Sequence, residues 1–143
     1  MPLAYSFLLG KLKAMQNITP GKHALLLESD NALAREIALF LSQQGFSVLA
    51  PATTKEALES IRNQRIDLAF LGDPPDRDSC FDLLREVVKA SPMTYVVLIT
   101  DASDKEVHSK AEGYGILGHI PRVFSRARAQ QLIDKFIQIS ESL

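Results

Sequence analysis

The stretch Leu68-Ala69-Phe70-Leu71-Gly72-Asp73-Pro74-Pro75-Asp76 decides how this chain folds. Four apolar residues run without interruption and then stop at a glycine, an aspartate and two prolines. A short apolar run that ends in turn residues is typical of a strand buried on both faces, whose carboxyl end opens into a loop. Two similar runs, Ala24–Leu27 and Tyr95–Ile99, also end in polar residues. Because ligands of open parallel sheets bind beyond the carboxyl ends of the strands, the sequence predicts a site at this edge.

Composition limits the class of protein. The 143 residues, of which 46% are hydrophobic, suffice for one domain with a substantial core. The net charge of −1, from 16 basic and 17 acidic residues, creates no strong field that favours nucleic acid or a membrane surface. The single cysteine, Cys80, excludes an internal disulfide and fits a reducing cytosol, so we expect a cytoplasmic protein. No apolar run approaches the roughly 20 residues that a bilayer requires.

The first 21 residues differ from the rest of the chain. Apolar residues from Leu3 to Leu12 recur at loosely helical spacing, and Thr19-Pro20-Gly21 interrupts the pattern. We therefore predict an extension over residues 1–21, either a short amphipathic helix or a disordered lead-in, followed by a domain over residues 22–143. Little chain follows the last predicted helix. A stand-alone domain and a piece of a longer regulator both remain open.

From His23 onwards, short apolar runs alternate with amphipathic helical patterns. Asp30 or Asn31, Thr53 or Thr54, Ser79 and Ser103 stand where a side chain can cap the first turn of a helix. Gly45 suits the left-handed position after a helix. The helix from Ser103 has few apolar anchors and is predicted to be the most loosely held. Five strands and five helices in alternation predict a three-layer α/β sandwich around a parallel sheet. The predicted strands are Ala24–Leu27, Phe46–Ala50, Leu68–Leu71, Tyr95–Ile99 and Gly118–Ile120.

Several short motifs occur in a characteristic order along this pattern. They are Glu28-Ser29-Asp30, Glu56-Ala57-Leu58, Phe81-Asp82-Leu83-Leu84 and Thr100. In their order and spacing, residues from about Lys22 to Phe136 resemble the receiver domain of bacterial response regulators. That resemblance implies a flavodoxin-like fold with the strand order 2-1-3-4-5 and five helices.

The resemblance also implies a phosphorylation site, and this chain departs from it. In such a receiver an aspartate takes up a phosphoryl group beside Mg²⁺, a lysine and a hydroxyl residue. Gly72 stands at the acceptor position, Ser29 replaces one of the two metal-binding acids next to Glu28, and Arg122 replaces the lysine. Thr100 retains the hydroxyl. His119 falls at the position where the family has its switch aromatic residue.

We therefore predict a degenerate phosphorylation pocket made of six residues, with no catalytic residue, no metal site and no cofactor. They are Glu28, Ser29, Gly72, Asp73, Thr100 and Arg122, and Thr100 and His119 are the switch positions. The predicted function is a non-enzymatic signalling module that binds other proteins without aspartyl phosphorylation. Two alternatives stay open. One is a phosphorylatable receiver that uses Asp73 in a two-component phosphorelay, and the other is a flavodoxin-like domain that binds a small ligand.

The predicted partners are a signalling protein or a second copy of the chain, with neither nucleic acid nor membrane. Leu132, Ile133, Phe136, Ile137 and Ile139 span a wider arc of the last helix than one seam against a sheet requires, which favours a homodimer. The Asp73–Asp78 loop is predicted to be a solvated acidic loop. Arg122, Arg126 and Arg128 are predicted to form a basic group that faces solvent or a partner.

Overall fold

The computed structural model describes residues 22–74, 76 and 79–141. The predicted extension over residues 1–21 and Asp78 of the acidic loop lie outside the described residues. The strands are β1 (His23–Leu27), β2 (Ser47–Leu49), β3 (Leu68–Leu71), β4 (Tyr95–Ile99) and β5 (Gly118–Ile120). The helices are α1 (Asn31–Gln43), α2 (Thr54–Asn63), α3 (Cys80–Ala90), α4 (Asp104–Lys110) and α5 (Arg126–Glu141).

The strands form one parallel sheet in the order β2-β1-β3-β4-β5, which confirms the predicted fold class. In register, Leu27 of β1 pairs with Leu71 of β3, and Leu71 pairs with Leu98 of β4. All four residues of β3 are buried, as expected for the central strand. The three strands β1, β3 and β4 therefore end side by side, and the loops that follow them share one edge of the sheet.

The core has two halves because successive strand residues point to opposite faces of the sheet. On one face, Leu26 and Phe70 pack with α1 and α5. On the other, Leu25 and Leu71 pack with α2, α3 and α4. Among the described residues, no helix is long and apolar enough to cross a membrane.

The predicted helix starts are confirmed at four helices. Asp30, Thr53, Ser79 and Ser103 are the N-cap residues of α1 to α4, and each side chain accepts a hydrogen bond from a backbone N–H of the first turn. Gly45 follows α1 with a φ of 95°, the left-handed conformation that favours glycine. These signals lie within a few residues of the helix ends, so the sequence alone carries them.

The apolar arc of α5 is mostly covered within the single chain. Leu132, Ile133 and Phe136 are buried, and Ile137 and Ile139 are partly buried against the same core. Tyr95 and Phe46 contact the Phe136 ring, with ring centroids 5.6 and 5.7 Å away. Some apolar surface of this helix stays exposed at Ile137 and Ile139, but less than the sequence-based argument for a dimer assumed, and dimer formation itself stays a prediction.

Candidate functional site

The site lies where β1 and β3 end. Because Leu27 pairs with Leu71, the next residues, Glu28 and Gly72, lie beside each other. The backbone N–H of Gly72 donates a hydrogen bond of 2.8 Å to the carbonyl oxygen of Leu27, which extends the ladder to the glycine. The sequence predicted that these two residues share a pocket, and the structure brings them into direct contact.

The carboxylate of Glu28 is buried, and both of its oxygens accept hydrogen bonds. None of its side chain is exposed. Oε2 accepts from the backbone N–H of Asp30 at 2.8 Å, and Oε1 accepts from that of Asp73 at 3.2 Å. Arg122 donates from Nη1 to Oε1 at 2.6 Å and from Nη2 to Oε2 at 2.9 Å. A charge without solvent needs such compensation to remain ionised.

Arg122 connects its own loop, between β5 and α5, to three others. Its side chain pairs with Glu28 of the β1–α1 loop, and Nη1 lies 3.3 Å from Oδ2 of Asp73 in the β3–α3 loop. Its backbone N–H donates to Oδ1 of Asp101, in the β4–α4 loop, at 2.9 Å. The hydrogen bonds to Glu28 raise the pKa of the Arg122 guanidinium above its usual value, with smaller contributions from the charges of Glu28, Asp73 and Asp101, while burial opposes the rise. The guanidinium is therefore charged throughout the physiological pH range.

Gly72 is required by space and not by backbone conformation. Among the described glycines, those with a left-handed φ are Gly45, Gly113 and Gly115, and Gly72 is not one of them. A Cβ at position 72 would instead overlap Oε1 of Glu28 and lie 2.9 Å from its Cδ. The glutamate carboxylate occupies the space into which a side chain at position 72 would project.

Asp73 takes part in the site more directly than the sequence predicted. Because β3 ends at Leu71, the alternation of side chains along a strand does not decide where Asp73 points. Oδ2 of Asp73 lies 3.3 Å from Nη1 of Arg122. The side chain is 57% exposed, so it is accessible from solvent.

The remaining pocket residues surround this ion pair. Ser29 is exposed, and its backbone N–H donates to the carbonyl oxygen of Asp73 at 3.0 Å. Oγ1 of Thr100 accepts from the backbone N–H of Ala102 at 3.1 Å. Burial raises the pKa of the Cys80 thiol to about 11, and the charge of Asp73 adds to the rise, while the positive charge of Arg122 and a hydrogen bond with Thr100 oppose it. A cysteine in this condition stays a neutral thiol at neutral pH.

The predicted basic group does not exist as a unit. Arg122 is partly buried in the pocket, with 24% of its side chain exposed, and it pairs with Glu28, so the solvent-facing interpretation is wrong for this residue. Arg126 bonds to Gln43 and lies over the ring of Phe40, and Arg128 donates to the carbonyl oxygen of His119.

His119, the predicted switch residue, is partly buried on β5. Its Nε2 lies 2.9 Å from Oδ1 of Asp104, the first residue of α4. Sequence reasoning did not single out Asp104, nor the role of Asp101 in holding the backbone of Arg122. The available signal for Asp101 was its position two residues after the end of β4, at the edge where the site was expected.

The residues at this edge do not fit a magnesium ion. Mg²⁺ is ordinarily held by one or two carboxylates together with water and phosphate oxygens. Here both oxygens of Glu28 already bind the guanidinium, and Ser29 offers no carboxylate. Within residues 22–74, 76 and 79–141, no three acidic, histidine or cysteine side chains gather into a group that suits a metal. Arg122 supplies the positive charge beside Glu28 that a divalent cation would otherwise supply.

Most of the chain matches a known family. The model of the response regulator receiver domain matches residues 24–134. The chain belongs to this family. A receiver-like protein from Methanospirillum hungatei superposes with a TM-score of 0.73 at 21% identity and covers 85% of this chain and 98% of that one. A response regulator from Thermotoga maritima gives a TM-score of 0.70 at 21% identity, over 85% of this chain and 99% of that one.

Curated relatives are longer proteins. The transcriptional regulatory protein GlrR of Escherichia coli (strain K12) is 23% identical over 118 residues, 82% of this chain and 27% of GlrR. The probable C4-dicarboxylate response regulator DctR of Priestia megaterium is 26% identical over 114 residues, 78% of this chain and 50% of DctR. This receiver domain thus aligns with half or less of the length of these relatives.

Proposed function

We propose that this receiver domain is a non-enzymatic signalling module that binds protein partners without aspartyl phosphorylation. The observation that carries the proposal is at the acceptor position. Gly72 offers no nucleophile, and the carboxylate of Glu28 fills the adjoining space while paired with Arg122.

The chemistry of phosphoryl transfer explains why these changes matter together. Transfer to an aspartate needs a free carboxylate aligned with phosphorus and a cation that neutralises the transferred charge. In this pocket the buried carboxylate is engaged by four N–H groups, and the positive charge belongs to a guanidinium already paired. Neither the Glu28 carboxylate nor the Arg122 guanidinium is therefore free to take part in phosphoryl transfer.

The surface formed by α4, β5 and α5 is the proposed partner-binding face. A groove there is bordered by Asp104, His119 and Arg128. Its lining includes an acidic side chain, Asp104, and a basic one, Arg128, which suits a partner whose surface carries a mixed polar pattern. A signalling protein and a second copy of this domain both satisfy that requirement.

One observation favours a second candidate, a receiver phosphorylated on Asp73. This carboxylate is 57% exposed and lies 3.3 Å from the Arg122 guanidinium, so an accessible nucleophile and a positive charge are close together. Against it, the next residue is a proline and the acceptor position of the family is one residue earlier, so the aligned approach to phosphorus is lost.

Incubation with acetyl phosphate and Mg²⁺, followed by intact-mass measurement, separates the two candidates. We expect no added phosphoryl group on the unaltered chain. A receiver domain with an intact acceptor, treated in parallel, serves as the positive control. A gain of one phosphoryl group that disappears in Asp73→Asn would refute the proposal and establish the second candidate.

A further inference from the structure

We propose that the Glu28–Arg122 ion pair acts as a built-in ligand of the pocket, which means that it takes the place of a bound molecule. The carboxylate fills the position of the missing acceptor side chain, and the guanidinium holds the four loops of this edge in one arrangement. The inference rests on the proposed function only in taking residue 72 as a position that accepts no phosphoryl group.

The first support is position. Glu28 and Gly72 follow directly after the paired residues Leu27 and Leu71. A Cβ on residue 72 would collide with the terminal carboxylate of Glu28, so the two positions compete for one volume. The absence of a side chain at 72 and the inward conformation of Glu28 are two parts of one arrangement.

The second support is that the carboxylate is not free to swing away. The end of a flexible side chain usually yields to a new neighbour. Here the backbone N–H groups of Asp30 and Asp73 and both Nη atoms of Arg122 hold the two oxygens, and the side chain is fully buried. Moving it would break charge-assisted hydrogen bonds that solvent does not replace.

The third support is the reach of Arg122. Through Glu28, Asp73 and Asp101 it contacts the loops after β1, β3 and β4, while it belongs to the loop after β5. A charged group at the centre of several loops favours the arrangement in which all contacts are made. The ion pair therefore performs, within the chain, the joining of loops that a bound anion and cation would otherwise perform.

A consequence is that replacing the glycine does not by itself recreate an acceptor. In Gly72→Asp the new side chain meets the carboxylate of Glu28, and two like charges then lie in one buried volume. We expect that variant to be destabilised and to remain unphosphorylated by acetyl phosphate.

The test is a thermal-stability cycle at positions 28 and 72. We expect Gly72→Ala to lower Tm by roughly 5 °C or more in the otherwise unaltered chain, because the methyl group overlaps Glu28. In a Glu28→Ala background the same change should cause no fall, since the space is open and alanine restricts the unfolded chain. Equal falls in both backgrounds, or no fall in either, would overturn the inference.

Gly113→Ala is the matched control. Gly113 has a φ of +84° and nothing within 4 Å of an added Cβ, so its replacement strains the backbone without touching Glu28. Its fall in Tm should be the same in both backgrounds. A difference as large as that of Gly72→Ala would mean that the Glu28→Ala background reports general loosening, which also contradicts the inference.

A measurement on the unaltered chain covers the case in which Glu28→Ala does not fold. In nitrogen-edited NMR, the Nη–H groups of Arg122 should give separate, slowly exchanging signals, assigned by their loss in Arg122→Lys. Averaged, rapidly exchanging signals would overturn the proposal that the ion pair acts as a built-in ligand. Phosphorylation of Asp73 would instead defeat the proposed function alone, because the coupling between positions 28 and 72 is measured without any phosphoryl donor.

Discussion

Arg122 and Glu28 form a two-point ion pair, with N–O distances of 2.6 and 2.9 Å, across 94 positions of sequence. This geometry requires an arginine at position 122. A planar guanidinium presents two parallel N–H groups to a carboxylate, whereas an ammonium is a point charge that cannot make the same fork. Arg122 thus suits the acid at position 28, whose carboxylate fits beside the glycine at position 72.

Arg122→Ala is expected to destabilise the domain by about 3 kcal/mol, because it leaves the buried Glu28 carboxylate without its charged partner. Urea unfolding followed by circular dichroism measures the change. Arg85→Ala is the matched control, since Arg85 forms an i,i+3 pair with Asp82 and its side chain is 50% exposed. That control should lose less than about 1 kcal/mol, and similar losses for both variants would contradict the special role of Arg122.

Mg²⁺ is expected to show no saturable binding at millimolar concentration. The carboxylate of Glu28 is paired with Arg122, and Ser29 contributes no second acid. Isothermal titration calorimetry on the full chain checks this expectation. A single strong site that Glu28→Gln abolishes would show that the cation displaces the guanidinium.

Stability should fall at alkaline pH because of Cys80. The pKa of its thiol rises from 9.0 to about 11 in the folded domain, so the unfolded chain releases this proton first. The contribution is fully present below pH 9 and is lost as pH rises towards 11, at up to about 1.4 kcal/mol per pH unit. The measurement is the difference in unfolding free energy between the unaltered chain and Cys80→Ala from pH 8 to 11. A pH-independent difference would contradict the predicted shift.

Helix α4 should open before the other helices. Val107 is its one buried residue, whereas α1 buries four. Few buried contacts give a low free energy of local opening, so amide hydrogens of α4 should exchange faster than those of α1. Hydrogen exchange read by mass spectrometry compares the two segments. Equal protection would contradict the expected looseness of α4.

Self-association remains a prediction from the sequence, and the structure shows which large apolar side chains are exposed and could contribute to it. Large apolar side chains that are well exposed among the described residues are Leu39 at 60%, Val123 at 82% and Met93 at 83%. Light scattering of the full chain at micromolar concentration should give the mass of a dimer. A monomeric mass that is unchanged on deletion of residues 1–19 would rule the dimer out.

The order of elements and the location of the site could be predicted from the sequence because their causes are local. The unbroken apolar run Leu68–Leu71 indicates a central strand, and the capping side chains Asp30 and Ser103 stand within three residues of the N–H groups that they bind. Parallel strands then bring the residues after β1, β3 and β4 to one edge. That rule and the family resemblance predicted which residues lie in the pocket.

What the pocket residues do to one another was decided by tertiary structure. The sequence did not show that the Glu28 side chain points inward and lies beside Gly72. It also did not show that Arg122 pairs with Glu28, or that Asp73 contacts the same guanidinium. It also overestimated the free apolar surface of α5, which Phe46 and Tyr95 help to cover. These outcomes depend on loop paths and on side chains far apart in the chain competing for one buried volume. No local pattern of residues records such a competition, because its energy arises only when the strands have brought the groups together.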